Sequence, residues 1–252
     1  MVDLHTHVLP SVDDGSDSIT TSVAMIKMAE ECGVTTIVTT PHSNMEGIYE
    51  NYYSESYEQN LNQLRQALKE ENIHVKLIPG MEIFASEEVL YLLQQGKLIT
   101  INHSRYPLIE FSFREDYLLI DYMINEMIES GMRPMIAHPE RYPYVQRNPD
   151  IISRWVERGC FMQMNKGSIL GGFGQRARMV SHYLLDQNLV ACIASDAHGI
   201  YHRTTYLKEV HEYITKRYSH DYANLLLSEN PNRVLEDKEL LNLRLSYKTL
   251  DW

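Results

Sequence analysis

Residues 17–42 read DSITTSVAMIKMAEECGVTTIVTTPH. The first half predicts a helix near 17–32. Ser16 and Asp17 stand at its start, Ile19, Val23 and Ile26 share a face, and Gly33 ends it. The second half, Val34 to Thr40, is β-branched almost throughout and stops at Pro41, which predicts a strand. A helix that passes through one glycine into an apolar strand is half of a βαβ crossover, so this strand should run parallel to the one before the helix. It runs into a histidine, His42.

The same unit recurs on both sides. Upstream, Val2-Asp3-Leu4 leads into His5-Thr6-His7. Downstream, Tyr57, Leu61, Leu64 and Leu68 mark a helix near 54–71, followed by a strand at Val75–Ile78 and then Pro79-Gly80. Leu108–Phe111 precedes a helix from about 115 to 130, and Met135–Ala137 precedes one near 149–158. Phe161–Met164 precedes a helix near 174–187, and Leu189–Ala194 precedes a helical region from about 203. These are seven strands in βα alternation, an α/β pattern with a parallel sheet and helices outside it. So many units in 252 residues favour a closed or distorted (β/α) barrel over an open sheet. No repeat or linker divides the chain, so one domain over 1–252 is expected, with a short helix and a polar tail after about Pro231.

In a parallel barrel the carboxyl ends of the strands face one mouth. Those ends carry His5 and His7 with Asp13-Asp14 behind them, then His42, Gly80-Met81-Glu82, Glu110, His138-Pro139-Glu140-Arg141, Asn165-Lys166 and Asp196-Ala197-His198. His5 and His7 are two apart on an extended segment, so their rings project to one side, and Asp196 and His198 repeat that spacing. Nine metal-ligand types therefore converge: His5, His7, Asp14, His42, Glu82, Glu110, His138, Asp196 and His198. One ion takes four to six ligands, so the set suits two or three. Burying these carboxylates among imidazoles without cations would be costly. His74, His182, His211 and His220 read as solvated, and His103 and His202 stay undecided.

The bulk composition narrows the function. A net charge of −11 argues against general affinity for nucleic acid or anionic membrane. No apolar run approaches the ~20 residues that span a bilayer, and the chain opens without a basic or apolar leader, as expected of a cytoplasmic protein. Cys32, Cys160 and Cys192 are too scattered for a disulfide framework and read as small core hydrophobes. They also exclude a cysteine-nucleophile phosphatase loop, C-x5-R, because the residues six positions on are Val38, Lys166 and His198.

D-L-H-T-H at 3–7, V-D-D-G at 12–15, T-P-H at 40–42, G-M-E at 80–82, L-I-E-F at 108–111, A-H-P-E-R at 137–141 and A-S-D-A-H at 194–198 together resemble the PHP (polymerase and histidinol phosphatase) superfamily. Within it the chain is most similar, from residue 2 to about 235, to the manganese-dependent bacterial protein-tyrosine phosphatases of capsular and extracellular polysaccharide synthesis. The resemblance implies a distorted (β/α)7 barrel with a trinuclear site. Its first ion would take His5, His7, Glu82 and Asp196, and its second Glu82 as a bridge with Glu110 and His138. The third would take Asp14, His42 and His198, while Arg141 and Arg203 would hold the phosphoryl oxygens. Gly199 stands where many relatives carry Asn, and Asn165-Lys166 where small hydroxyl residues are common, which bears on substrate rather than on metal.

The implied chemistry is hydrolysis of phosphotyrosine by a metal-bridging hydroxide, with manganese expected and zinc or iron also compatible with N/O ligands. Three divalent ions, four carboxylates, a hydroxide and two arginines leave a pocket charge of about +3, attractive to a phosphate dianion. The substrate implied is the tyrosine-rich tail of a polysaccharide-assembly kinase. The alternatives are a small-molecule phosphatase of the histidinol-phosphate type and a metal-binding regulatory partner of a kinase. A phenolate leaves readily, so a general acid is little needed, and His202 is a candidate. Tyr49, Tyr52, Tyr53 and Tyr57 are candidates for an aromatic wall, Gly171-Gly172-Phe173-Gly174 for an oxyanion cradle, and Arg147, Arg176 and Arg178 for contacts to an acidic peptide.

Overall fold

A computed structural model describes residues 1–114 and 117–241. Strand β1 (Val2–Thr6) is buried along its whole length and leads through a loop to helix α1 (Ile19–Glu31). Ser18 caps that helix by accepting from the Thr21 N–H, and Gly33 turns the chain at φ +88°. The buried face of α1 is Ser22, Met25, Ile26 and Ala29 rather than the Ile19–Val23–Ile26 stripe, and Ile19 is exposed. The Ser22 hydroxyl bonds Ser16 Oγ and Ser18 O inside the fold, so the helix is rotated to bury a small polar residue at its start.

The strand expected at Val34–Thr40 is shorter and continues beyond a break, as β2 (Thr36–Thr39) and β3 (His42–Ser43). Pro41 has no N–H to give a ladder. After α2 (Glu55–Glu70) the next strand divides likewise, into β4 (Lys76–Pro79) and β5 (Glu82–Phe84). Here Gly80 approaches Val38 so closely that a Cβ would meet Val38 Cγ1 at 2.7 Å. The predicted face of α2 is the observed one: Tyr57, Leu61, Leu64 and Leu68 are buried, each contributing about 1.5–3 kcal/mol. A short helix α3 (Val89–Gln94), which the sequence pattern did not suggest, precedes β6 (Leu108–Glu110).

Helix α4 (Tyr117–Glu129) fills the span expected from about 115, and residues 115 and 116 lie outside the described set. Strand β7 (Met135–Ala137) has its predicted bounds. It is followed by the unanticipated short helix α5 (Pro143–Arg147) and by α6 (Ile151–Arg158). Then come β8 (Phe161–Asn165), a second unanticipated turn of helix α7 (Lys166–Leu170), α8 (Gln175–Asp186) and β9 (Cys192–Ala194). The last helices are α9 (Lys208–Arg217), α10 (His220–Asn224) and α11 (Asn230–Leu235), so the helical region expected from 203 begins five residues later. The polar tail predicted at the C-terminus lies outside the described residues beyond 241.

All pairing between these strands is parallel, in two sheets ordered β1-β2-β4 and β3-β5-β6-β7-β8-β9. The breaks in the second and third strand positions hand the chain from one sheet to the other. Past those breaks, the register sets His42 opposite Glu82. At the far edge, the Asp196 N–H donates to His5 O at 2.9 Å and the His7 N–H to Ala197 O at 2.9 Å, so the segment after β9 runs beside β1. These pairings bring the carboxyl ends of first and last strands together.

Candidate metal centre

The nine predicted donors do meet. His5 Nε2 lies 3.2 Å from His7 Nε2, 3.2 Å from Glu82 Oε2 and 3.6 Å from Asp196 Oδ1. Deeper along the second sheet, His138 Nε2 is 2.9 Å from Glu82 Oε1 and 3.6 Å from Glu110 Oε1, and His42 Nδ1 is 3.0 Å from Glu82 Oε2. Nearer the surface, Asp14 Oδ1 faces His42 Nε2 at 3.5 Å and His198 Nε2 at 3.4 Å. Two donors about 2.1 Å from a shared tetrahedral ion lie about 3.4 Å apart, so these spacings suit common ligation. Four groupings have ligand atoms within 4.8 Å of one another: His7-Asp14-His42-His198, His5-His7-Asp196, His5-Glu82-His138 and His42-Glu82-Glu110.

Local backbone explains how they converge. His5 is the last but one residue of β1 and His7 follows the strand directly, so their shared side is the one that the spacing predicts. Asp196 and His198 reach the centre differently. Asp196 has φ +50° and His138 has φ +34°, left-handed conformations that turn the chain sharply as it leaves the sheet. Asp196 and His198 thus share a turn, not a strand face.

The protein's own groups leave the centre electrically unfinished. Glu82 Oε2, Glu110 Oε2 and His198 Nε2 are buried in ionic contacts of 3.0–3.6 Å but make no well-aligned hydrogen bond among the described residues. Burial pushes the Glu110 carboxyl up to about 8, and the Glu82 charge beside it adds to that. Glu82 itself is held well below the usual carboxylate range, because His5 and His42 outweigh its burial. Burial also drives His138 down to about 4, against its bond to Glu82. A mixed set of imidazole and carboxylate atoms with unpartnered lone pairs is the donor chemistry that divalent cations satisfy, so the residues present fit the metal cluster that the motifs imply.

A second ring of residues orients the first. Asp13 Oδ2 pairs with His7 Nδ1 at 2.6 Å and accepts the His42 N–H at 2.9 Å, leaving His7 Nε2 to face the centre. Burial would lower the His7 pKa, but Asp13 outweighs it and raises it well above the ordinary value. Gln163 Oε1 bonds His5 Nδ1 at 2.8 Å, and Asn165 Nδ2 donates to Asp196 Oδ2. Gln163 carried a signal, being the one polar side chain among residues 161–164 of β8. The sequence sets Asp13 beside Asp14 with the same chemistry, so it marks Asp14 as a ligand and gives Asp13 no separate role.

At the rim, Arg141 Nη1 lies 3.1 Å from Asp196 Oδ2, and the Arg203 guanidinium pairs with Asp196 Oδ1. The aromatic wall expected from four tyrosines reduces to Tyr49, which stacks on His42 at 5.4 Å with rings 7° apart. Tyr57 is a core residue that donates to Gly80 O, and the Tyr53 hydroxyl is bound to Glu58. Arg147, Arg176 and Arg178 are exposed, as are His103 and His202. His202 forms no described contact with the nine donors. His182, expected on a solvated face, is partly buried against Ile169 O and Tyr213 Oη. Cys32, Cys160 and Cys192 are free and buried.

The family model for capsular polysaccharide synthesis proteins CpsB/CapC matches residues 1–236. Tyrosine-protein phosphatase YwqE of Bacillus subtilis is 33% identical over 96% of this chain and 91% of its own. Tyrosine-protein phosphatase CpsB of Streptococcus pneumoniae is 31% identical over 94% and 99%. A solved structure from the work on those two proteins, described as metal-dependent tyrosine phosphatases, superposes with a TM-score of 0.90 at 31% identity, covering 97% of this chain and 98% of that one. The phosphotriesterase homology protein of Escherichia coli shares the fold at 12% identity, with a TM-score of 0.62 over 93% and 98%. The chain belongs to the CpsB/CapC family of capsular polysaccharide synthesis proteins.

Proposed function

We propose that this protein is a metal-dependent protein-tyrosine phosphatase that dephosphorylates a tyrosine kinase of polysaccharide assembly. The observation that carries this reading is the meeting of nine donors beside two arginines that share Asp196. His5, His7, Glu82 and Asp196 would hold one ion, Glu82, Glu110 and His138 a second, and Asp14, His42 and His198 a third, with manganese as the expected metal. Bound there, such ions supply Lewis acidity and a water of lowered pKa near neutral pH.

The chain's own residues do the rest. Arg141 and Arg203 present guanidinium forks that match phosphoryl oxygens and take up charge as the ester bond breaks. The burial of His5, His7, Glu82 and Asp196 excludes water from the donor atoms and strengthens each interaction. Half-exposed Asp14 and stacked Tyr49 lie towards the surface, where a peptide-borne tyrosine would approach. The departing phenolate has a pKa near ~10, so no side chain need protonate it.

The same reading takes the chain as one domain and a distorted (β/α)7 barrel, supported by the parallel bridge between Thr6 and Ala197. Three unpaired, buried cysteines support a reduced, cytoplasmic setting. No helix among the described residues is long and apolar enough to cross a membrane. The net charge of −11 disfavours nucleic acid as a partner.

The test is to strip the metal, restore manganese, and compare a phosphotyrosine peptide with histidinol phosphate. Turnover of the peptide, with little of histidinol phosphate, is expected. Preference for histidinol phosphate would move the protein to small-molecule chemistry, and inactivity on both with manganese bound would leave a regulatory binding module.

A further inference from the structure

The glycine-rich segment 171–174, an oxyanion-cradle candidate by sequence, holds an aromatic ring against the two arginines. Phe173 lies with its centroid 4.4 Å from the Arg141 guanidinium carbon and 5.6 Å from that of Arg203. Phe113 also contacts Arg141, with its centroid 5.4 Å from the guanidinium carbon. The ring of Phe173 also needs a seat, and Gly167 provides one: a Cβ there would meet Phe173 Cε2 at 2.7 Å. Glycines on both sides free the backbone, with Gly171 at φ +93° and Gly174 at φ +90°, so the chain turns out of α7, places one side chain and turns back into α8.

Two guanidiniums that converge on one phosphate repel each other before it arrives. Asp196 relieves part of that repulsion, since both pair with it. The Phe173 ring, with its centroid 4.4 and 5.6 Å from the two guanidinium carbons, relieves more, because its negative quadrupole attracts both cations while its plane limits their rotation. We propose that Phe173, seated on Gly167, is a positioning residue that holds Arg141 and Arg203 in the orientation that receives a phosphoryl group. Phe173 does not touch the reacting atoms. It acts through the arginines and lowers the freedom they lose when an oxyanion binds. The proposal rests on the phosphatase reading for the identity of that oxyanion.

The experiment uses the full manganese-loaded chain and three variants, Phe173→Leu, Phe173→Tyr and Gly167→Ala. Inorganic phosphate is the probe for oxyanion binding by calorimetry, and a phosphotyrosine peptide is the substrate for KM and kcat. Phe173→Leu should weaken phosphate about tenfold and raise KM for the peptide by a similar factor, with bound manganese unchanged. Phe173→Tyr keeps the ring face and should stay within about twofold of the parent. Gly167→Ala should reproduce the loss by pushing the ring from its seat, which keeps the test intact if the leucine variant folds poorly. Unchanged phosphate affinity in Phe173→Leu, or a tyrosine variant as weak as the leucine one, overturns the proposal. A parent that hydrolyses no phosphotyrosine yet binds phosphate in a Phe173-dependent way would sink the phosphatase reading and leave this one standing.

Discussion

The inner donors and the arginine rim are built on different principles. His5, His7, Glu82 and Asp196 are 0–1% exposed, come from three strand ends, and are each approached by several other donors. Arg141 and Arg203 are 20% and 29% exposed and share a single carboxylate and the ring of Phe173. The first region is over-determined, since each donor is fixed by neighbours with no freedom to turn. The second is fixed by a few replaceable contacts. Metal retention should therefore respond to loss of the Glu82 charge and tolerate changes at the arginine rim, whereas phosphate recognition should respond to small changes in geometry.

Glu82→Gln is the severest way to break this contrast. Glu82 contacts His5, His7, His42 and His138, so no other residue can supply its charge at that point. Removing it should lower turnover of a phosphotyrosine peptide by about a thousandfold or more, with bound metal reduced when measured by atomic absorption. Full metal content and near-normal turnover would show that the centre is not organised around Glu82. Arg141→Lys probes the other region. A lysine keeps the charge and loses the planar fork, so kcat/KM should fall by about ten- to a hundredfold while metal content is unchanged. Loss of metal in that variant would mean that rim and centre are one cooperative unit rather than two.

Asp13→Asn lies between the regions in effect. It leaves the nine donors in place but weakens the hold on His7 Nδ1 and on the His42 N–H. Metal affinity should drop about ten- to a hundredfold, and turnover should recover when manganese is raised to saturation. Failure to recover would assign Asp13 a part in the reaction itself.

What could be read from the sequence follows the same division. Donors at strand ends were visible because β-branched runs and glycine stops locate the strands, and the ends of parallel strands share one side. Val34–Thr40 and Tyr57–Leu68 are the clearest cases, with apolar spacing that matches one structure only. The breaks at Pro41 and Gly80 were not predicted as a transfer between sheets, because that depends on Gly80 meeting Val38 across the fold. Short helices α3, α5 and α7 span fewer than two turns, too few residues for a periodic pattern to show. The left-handed turns at His138 and Asp196 occupy residues whose side chains signal ligation, not conformation. Phe173 was hidden for a related reason: its role depends on two arginines, at 141 and 203, that only the fold brings near.

The smallest expected effect sharpens the comparison by excluding a third region. Cys160 is fully buried, and burial pushes its thiol up to about 12, so it has almost no thiolate near neutral pH. It lines a cavity with Val156, Leu189, Tyr222 and Leu225, none of which is a donor or a rim residue. Cys160→Ala should leave kcat and KM within about twofold of the parent and lower stability by about 1 kcal/mol, because the alanine removes one buried sulfur and little else. Steady-state kinetics beside thermal melting separate the two effects. If activity fell with Cys160 while manganese stayed bound, a thiol route would return and the division between an inner metal centre and an arginine rim would not describe the catalyst. If only the melting temperature moved, all the chemistry would lie at the strand ends.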